Sequence, residues 1–521
     1  DSYLDLMTDA RRADLSASIA DMPYAEGLTW TATKGADTLT IVGTMHIYDP
    51  RLELIHDKIA NALQSADLVM LEATPAEEAE LQRLVTTDPG RLFIVDGPTL
   101  PERLDEETWQ MVADAAKEFS EQFIRPHVME WDEAEFFPAD LLRKAGELGL
   151  LGISIPEEYG GFEKDFNTSL LINEATGAGH SFAVALSAHT GIGTLPIAYY
   201  GNSEQKSKYL PDLTTGVKKA CYCLTEPGSG SDANSGKTKA ILSDDGSHYV
   251  LNGQKMWITN GGFADIFIVF AKVNDDKNLS ALIVEKEFGG ISLNPEEHKM
   301  GIKGSSTRQV FFNDVKVPKE NFLGEREGGF KIALNILNSG RIKLSAATIG
   351  GSKFALSKAI QYSIEREQFG KSIGEFTAMQ YKIGEMARKI FSAESAVYRT
   401  GRNIDLKEKE LKENKIPENE IKLKGLREYA IECSLMKVYA SEVLDYCVDE
   451  SLQIHGGMGY SVETKVEMGY RDARITRIYE GTNEINRMLS FGELMKRGFH
   501  TKEIDFRKFS PRLWCPRWPC F

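Results

Sequence analysis

Residues 477–488 read RIYEGTNEINRM. The run Tyr479-Glu480-Gly481-Thr482 predicts a tight turn feeding a helix, because Gly481 leaves room for close approach and Thr482 or Asn483 can cap through a side-chain oxygen. A Glu just ahead of a helix is most often a solvated carboxylate that compensates the helix dipole. Buried beside an apolar ligand, the same carboxyl is a stronger base and suits proton abstraction. Glu480 is therefore the candidate catalytic residue, and the segments before it decide between these two readings.

Upstream of this turn, residues 327–476 carry apolar residues at helical spacing, most clearly in GFKIALNILNSGRIKLSAATIGGSKFALSKAIQYSIERE. The run KEKELKENKIPENEIKLK within it is charged, interrupted by proline and expected to be a solvated face. Between about 218 and 325 the period drops to two. HYVLNGQKMWIT, with an Asn252-Gly253 pair suited to a hairpin turn, is followed by IFIVFAKV, SALIVEKE and STRQVFFNDVKVP as strands. From about 103 to 217 the texture is helical again. The expected fold class is mainly α with a β-domain: a helical domain over 118–217, a middle β-domain over 218–325 and a helical bundle over 326–497. A small α/β pattern over 1–115 precedes it, and an irregular tail over 498–521 follows.

Four segments at the domain seams carry chemistry. CLTEPGSGSD at 223–232 offers backbone N–H groups and the hydroxyls of Thr225 and Ser231, a surface that can approach a pyrophosphate closely, though alone it reads as a Gly-Ser turn. MWITN at 256–260 is expected to place Trp257 and Thr259 on one side of a strand, an indole to pack on a planar ring and a hydroxyl to reach its edge. EREQFG at 365–370 supplies Arg366 and Gln368 as planar donors for a diphosphate, and QIHGGMGY at 453–460 is a Gly-rich helix end suited to a nucleotide edge or a simple C-cap. Together with the turn at Glu480, these converge on a flavin nucleotide.

The bulk numbers bound this reading. The formal charge is −16 over 521 residues, which repels nucleic acid and gains little at an anionic membrane. Six cysteines fall without a paired CxxC or a nearby histidine at ligand spacing, so neither a zinc site nor a disulfide framework follows. No uninterrupted apolar run reaches the ~18 residues of a membrane span. No metal and no transmembrane segment are expected.

PEEYGG, EQKSKYLP at 204–211, LTEPGSGSD, KMWITN, REQFGK, QIHGGMGY and YEGT occur in this order over residues 118–497, and this stretch resembles the acyl-CoA dehydrogenase family from end to end. The resemblance implies FAD as cofactor and α,β-dehydrogenation of an acyl-CoA to a trans-2-enoyl-CoA, with Glu480 taking the α-proton and an electron-transfer flavoprotein receiving the electrons in fatty acid β-oxidation. It implies that Tyr222, Cys223, Leu224, Thr225 and Ser231, with Trp257, Ile258 and Thr259, hold the FAD of one subunit. Arg366, Gln368, Gln453, Ile454, His455, Gly456 and Gly457 would reach that of a neighbour in a homodimer or homotetramer. Thr482, Asn483 and Glu484 would touch the cofactor beside the base, and Ser231, Asn338, Arg341 and Gly481 would line the acyl-CoA path. Some relatives carry the base on the helix that here reads NILNSGRIKLS, where the matching residue is Gly340. Gly340 and the charged insert near 403–425 resemble the very-long-chain branch without its C-terminal extension, implying medium or long acyl chains. The expected location is the cytoplasm, or the mitochondrial matrix in a eukaryote. The alternatives are an acyl-CoA oxidase using oxygen and a catalytically silent scaffold.

The front end differs. GTMHIYDPR at 43–51 and LVMLEAT at 68–74 resemble the opening of the TraB/GumN family, whose proposed metal ligands would correspond to His46 and Glu72. A second GxxH is missing, which leaves too few ligands for a catalytic metal. A truncated fragment joined to a dehydrogenase is the expected arrangement, with the joint within 95–118.

Overall fold

The computed structural model describes residues 29–34, 37–42 and 114–503, and the chain divides into two compact units, Asp1–Thr99 and Leu100–Phe521. In the first, strands β1 (Thr29–Lys34) and β2 (Asp37–Val42) form an antiparallel hairpin with Thr29 opposite Val42. His46 and Glu72 lie outside the described residues, as do the strand-like runs at 68–73 and 91–97 and the tail from 504.

The second unit opens with short helices: α1 (Val128–Glu133), α2 (Asp140–Glu147), α3 (Phe166–Thr176), α4 (Ser181–Ser187), α5 (Leu195–Tyr200) and α6 (Ser203–Thr214). Local chemistry sets their starts. Asp165 accepts from Thr168 N at 2.8 Å ahead of α3, and Asn202 with Gln205 forms a reciprocal capping box ahead of α6. By length and composition Ser181–Tyr200 could cross a membrane, but two thirds of that stretch (67%) is buried inside the fold, as in a core helix.

The middle region is an eight-stranded sheet of β3 (Ala220–Cys223), β4 (Lys239–Leu242), β5 (His248–Thr259), β6 (Ile266–Val273), β7 (Ser280–Glu285), β8 (Ile291–Leu293), β9 (Thr307–Pro318) and β10 (Phe322–Leu323). The order is β10-β7-β6-β4-β5-β9-β8, with β3 added in parallel to β6. Asn252-Gly253 makes no hairpin turn. It lies inside the single strand β5 at a register shift against β9, where Asn252 exchanges two 2.9 Å hydrogen bonds with Asp314. At Gly253 a Cβ would fall 2.4 Å from Thr238 Oγ1, so glycine here serves a bulge and a close contact.

Two 37-residue helices dominate the rest: α7 (Gly329–Glu365) and α8 (Thr377–Glu413). Between them the short strands β11 (Glu367–Gln368) and β12 (Lys371–Ser372) pair, and α9 (Glu418–Glu428), α10 (Ala430–His455), α11 (Val466–Ala473) and α12 (Asn483–Met495) complete the bundle. One apolar core, including Ile342, Ile349, Met386, Val397, Val443 and Cys447, joins α7, α8 and α10 to Phe166 and Leu170 of α3. The charged insert is not simply solvated. Asp405 accepts from Phe166 N at 2.7 Å, and buried Glu408 pairs with Lys422. Burial, with Asp165 adding repulsion, pushes Asp405 up to about 7.

Candidate active site

The turn at 479–482 forms as its sequence predicts. Thr482 Oγ1 accepts from Ile485 N at 3.3 Å and caps α12, while Glu480 and Gly481 both take positive φ, +58° and +84°. A non-glycine residue there is uncommon, and such strain persists only where the surroundings over-determine it. They do so here. Arg341 Nε donates to Glu480 O at 3.1 Å, and Asn486 Nδ2 donates to Gly481 O at 2.8 Å and Thr482 O at 3.1 Å. Lys437 Nζ donates to Gly481 O and to Asn483 Oδ1, both at 2.8 Å. Arg341 is itself oriented by Asn338 Oδ1 at 2.8 Å.

Glu480 is half-buried as a residue, yet its Oε2 is sealed from solvent and has no hydrogen-bond partner among the described residues. It packs on Gly340 of α7, where a Cβ would stand 2.7 Å from Oε2. The matching position therefore cannot carry a rival base, and its lack of a side chain makes the space for this one. Burial pushes the Glu480 carboxyl up to about 7, with Arg341 and Lys437 offsetting part of the rise.

Glu480, Tyr479, Gly340 and Thr259 line a cavity of about 700 Å³ that reaches Arg125, Lys358 and His455. The segments expected to hold a flavin come together at the sheet. Thr225 O accepts from Met256 N at 2.9 Å, and Leu224 O accepts from Lys255 Nζ at 3.0 Å. Tyr222, Cys223, Leu224 and Ile258 are buried, and the Tyr222 hydroxyl has no partner among the described residues, its pKa raised by burial and by the nearby Glu480 charge. An orphaned carboxylate oxygen on the wall of this cavity fits a site built to be filled.

One expectation is corrected, and the other expected site residues take the places that follow. Trp257 and Thr259 do not share a regular strand face: β5 is bulged between Lys255 and Ile258, and Trp257 sits at φ +60° with 54% of its surface exposed while Thr259 lines the cavity. Asn338, Arg341, Gly481 and Ser231 are not among the cavity-lining residues. The first two are buried supports of the Glu480 turn, and Ser231 is exposed. Asn483 is buried and spends its amide on Lys437 and Ser441, whereas Glu484 is exposed. Arg366, Gln368, Gln453, Gly456 and Gly457 are exposed. Ile454 and His455 are buried, and His455 stacks on Tyr362 at 4.2 Å.

Lys437, Asn486 and the buried pair Lys255–Glu226 (2.7 Å) were not singled out in the sequence. The available signal was one lysine in each of two otherwise apolar runs, SLMKVYA and GQKMWI. Glu226 also accepts from Lys237 N at 2.6 Å and Thr238 N at 3.1 Å, so the pair fixes the loop after Thr225.

The fold is a helical domain, a sheet and a helical bundle, with a carboxylate on a strained turn at the cavity wall. Residues 106–217, 221–315 and 327–493 match the N-terminal, middle and C-terminal domains of acyl-CoA dehydrogenase, and residues 28–137 match the TraB/PrgY/gumN family. A Bacillus subtilis (strain 168) protein named "Probable acyl-CoA dehydrogenase" is 50% identical over 409 residues, covering 78% of this chain and 68% of its own length. The mitochondrial very long-chain specific acyl-CoA dehydrogenase of Macaca fascicularis is 37% identical over 440 residues, covering 82% of this chain and 63% of its own. Among solved structures, an acyl-CoA dehydrogenase complexed with FAD from Bacillus anthracis superposes with a TM-score of 0.73 at 49% identity, covering 77% of this chain and 70% of that one. The chain belongs to the acyl-CoA dehydrogenase family, and it spans about two thirds of the length of these relatives.

Proposed function

We propose that the protein catalyses FAD-dependent α,β-dehydrogenation of a medium- or long-chain acyl-CoA, with Glu480 as the base. The supporting observation is the unpartnered, sealed Oε2 of Glu480 packed on Gly340 at the cavity wall. Tyr222 to Thr225 and Ile258 to Thr259 would hold FAD, which supplies an acceptor for the hydride lost from the substrate β-carbon. Glu480 Oε2 takes the α-proton, and the pair of electrons left behind forms the new double bond. A carboxyl raised to about 7 is matched to that transfer near neutral pH. Arg341, Lys437 and Asn486 hold the turn carbonyls, so the carboxylate meets the α-carbon without a search through rotamers and backbone states. Small residues along the cavity, among them Gly177, Ala188, Gly191, Ala347 and Gly351, leave room for an extended chain.

The exposed positions Arg366, Gln368, Gly456 and Gly457 support an active unit in which a second copy completes the cofactor site. An electron-transfer flavoprotein as acceptor and a role in fatty acid β-oxidation, in a bacterial cytoplasm or a mitochondrial matrix, complete the reading. The test is to purify the chain, record a flavin spectrum and titrate anaerobically with acyl-CoAs of graded length. Absence of flavin overturns the proposal, as does a Glu480→Gln variant that bleaches as fast as the parent. Oxygen as sole acceptor separates an oxidase from a dehydrogenase.

A further inference from the structure

One turn beyond Gly340, α7 presents Lys343 to the same cavity, about 4.5 Å further along the helix axis. Lys343 is only 3% accessible. Its ammonium makes no hydrogen bond or ion pair among the described residues. This sets it apart from the other two deeply buried lysines, since Lys255 is paired with Glu226 and Lys437 donates to Gly481 O and Asn483 Oδ1. The charge acting on it is that of Lys422, of the same sign, and burial with this repulsion pulls its pKa down to about 8. An unpaired buried ammonium is costly, and lysine is seldom fully buried without a partner. The cavity it lines also holds the apolar side chains of Ala188, Ile192 and Leu344. On its other side lies a small void of about 20 Å³ bordered by Ser154, Ser169, Asn173 and Thr190, large enough for about one water.

We propose that Lys343 is a specificity-determining residue whose ammonium receives a second carboxylate carried by the acyl chain, so that ω-carboxyacyl-CoAs are preferred over plain fatty acyl-CoAs of equal length. The proposal deepens the dehydrogenase reading and rests on it. A plain alkyl chain would leave the ammonium with at most the water of the small void. A carboxylate at this depth would form a charge-assisted pair with it. Because Lys343 is one helical turn from the Glu480 contact, the second carboxylate belongs to a chain of modest length.

The experiment compares matched pairs, suberoyl-CoA against octanoyl-CoA and sebacoyl-CoA against decanoyl-CoA, on the FAD-loaded protein. Binding is measured by calorimetry in the Glu480→Gln background, and kcat and KM are measured with Glu480 intact. The expected result is tighter binding of the dicarboxylyl member of each pair, by about tenfold or more. Lys343→Met should abolish or reverse that preference, and Lys343→Arg should keep it. Melting temperatures of both variants show that they fold. Equal handling of the two members by the parent overturns the proposal, as does a Lys343→Met variant that shifts both members alike, the result expected of a lysine satisfied by water alone. If octanoyl-CoA and decanoyl-CoA are oxidised with no such preference, only the Lys343 assignment falls. If no member of either pair reduces the flavin, the dehydrogenase reading falls and this inference with it.

Discussion

Lys437 and Lys343 are the same residue type, both deeply buried and both pulled down to about 8 by burial, yet they stand in opposite situations. Lys437 donates to two oxygens of the base-bearing turn and feels the attraction of Glu480. Lys343 has no partner among the described residues and feels the repulsion of Lys422. Burial alone therefore says nothing about what a charge is for. A satisfied ammonium clamps structure, whereas an unsatisfied one marks a place where a ligand can supply what the fold does not.

The largest effect that sharpens this contrast is expected at the group both lysines flank. Glu480→Gln should slow anaerobic flavin reduction by roughly 10²–10⁴-fold while leaving the flavin spectrum in place, as loss of a general base does. Gly340→Ala tests the packing under the carboxylate: a Cβ at 2.7 Å from Oε2 must push it aside. A displacement of that kind should cost about a hundredfold in the same rate without loss of fold.

The two lysines themselves should respond to methionine with opposite signs. Lys437→Met leaves Gly481 O and Asn483 Oδ1 short of a buried donor, and chemical denaturation should show a loss of about 3 kcal/mol. Because Lys437 helps hold the Glu480 carboxyl down, its removal should also move the rising limb of the pH–rate profile upward from about 7. Lys343→Met removes a burial penalty instead. The folded pKa of Lys343 is lowered from 10.5 to about 8, so between those values the unfolded chain binds more protons and stability rises with pH. The penalty is fully present below pH 8, and there Lys343→Met should be the more stable protein by about 3 kcal/mol, an advantage that shrinks towards pH 10.5. Denaturation at pH 7 and pH 10 measures both halves of that expectation. A destabilised Lys343→Met at pH 7 would mean that the two lysines are alike and the contrast is false.

Much of the fold was legible from periodicity, because the period of two over the middle region and the helical spacing on either side are properties of short windows. Legibility failed where a residue's meaning lay across the sheet or the bundle. Asn252-Gly253 has the local chemistry of a hairpin turn, but Asp314 on β9 and Thr238 beside Gly253 make it a bulge in a continuous strand. Trp257 was expected to share a strand face with Thr259, and a second bulge separated them. The insert near 403–425 looked solvated by charge count, yet Asp405 and Glu408 are spent on partners.

The sequence by itself determined the turn at Glu480, a cap at Thr482 or Asn483 and the absence of a side chain at Gly340, because these depend on residue type and on neighbours a few positions away. Only the tertiary structure decided that Oε2 of Glu480 rests on Gly340 without a partner, and that Arg341, 139 residues away in sequence, holds its backbone carbonyl. It also decided that the Lys343 ammonium has no hydrogen-bond or ion-pair partner among the described residues. The reason is physical: a turn is set by local dihedral preferences, whereas the worth of a buried charge is set by which distant chain segments packing brings within hydrogen-bond reach.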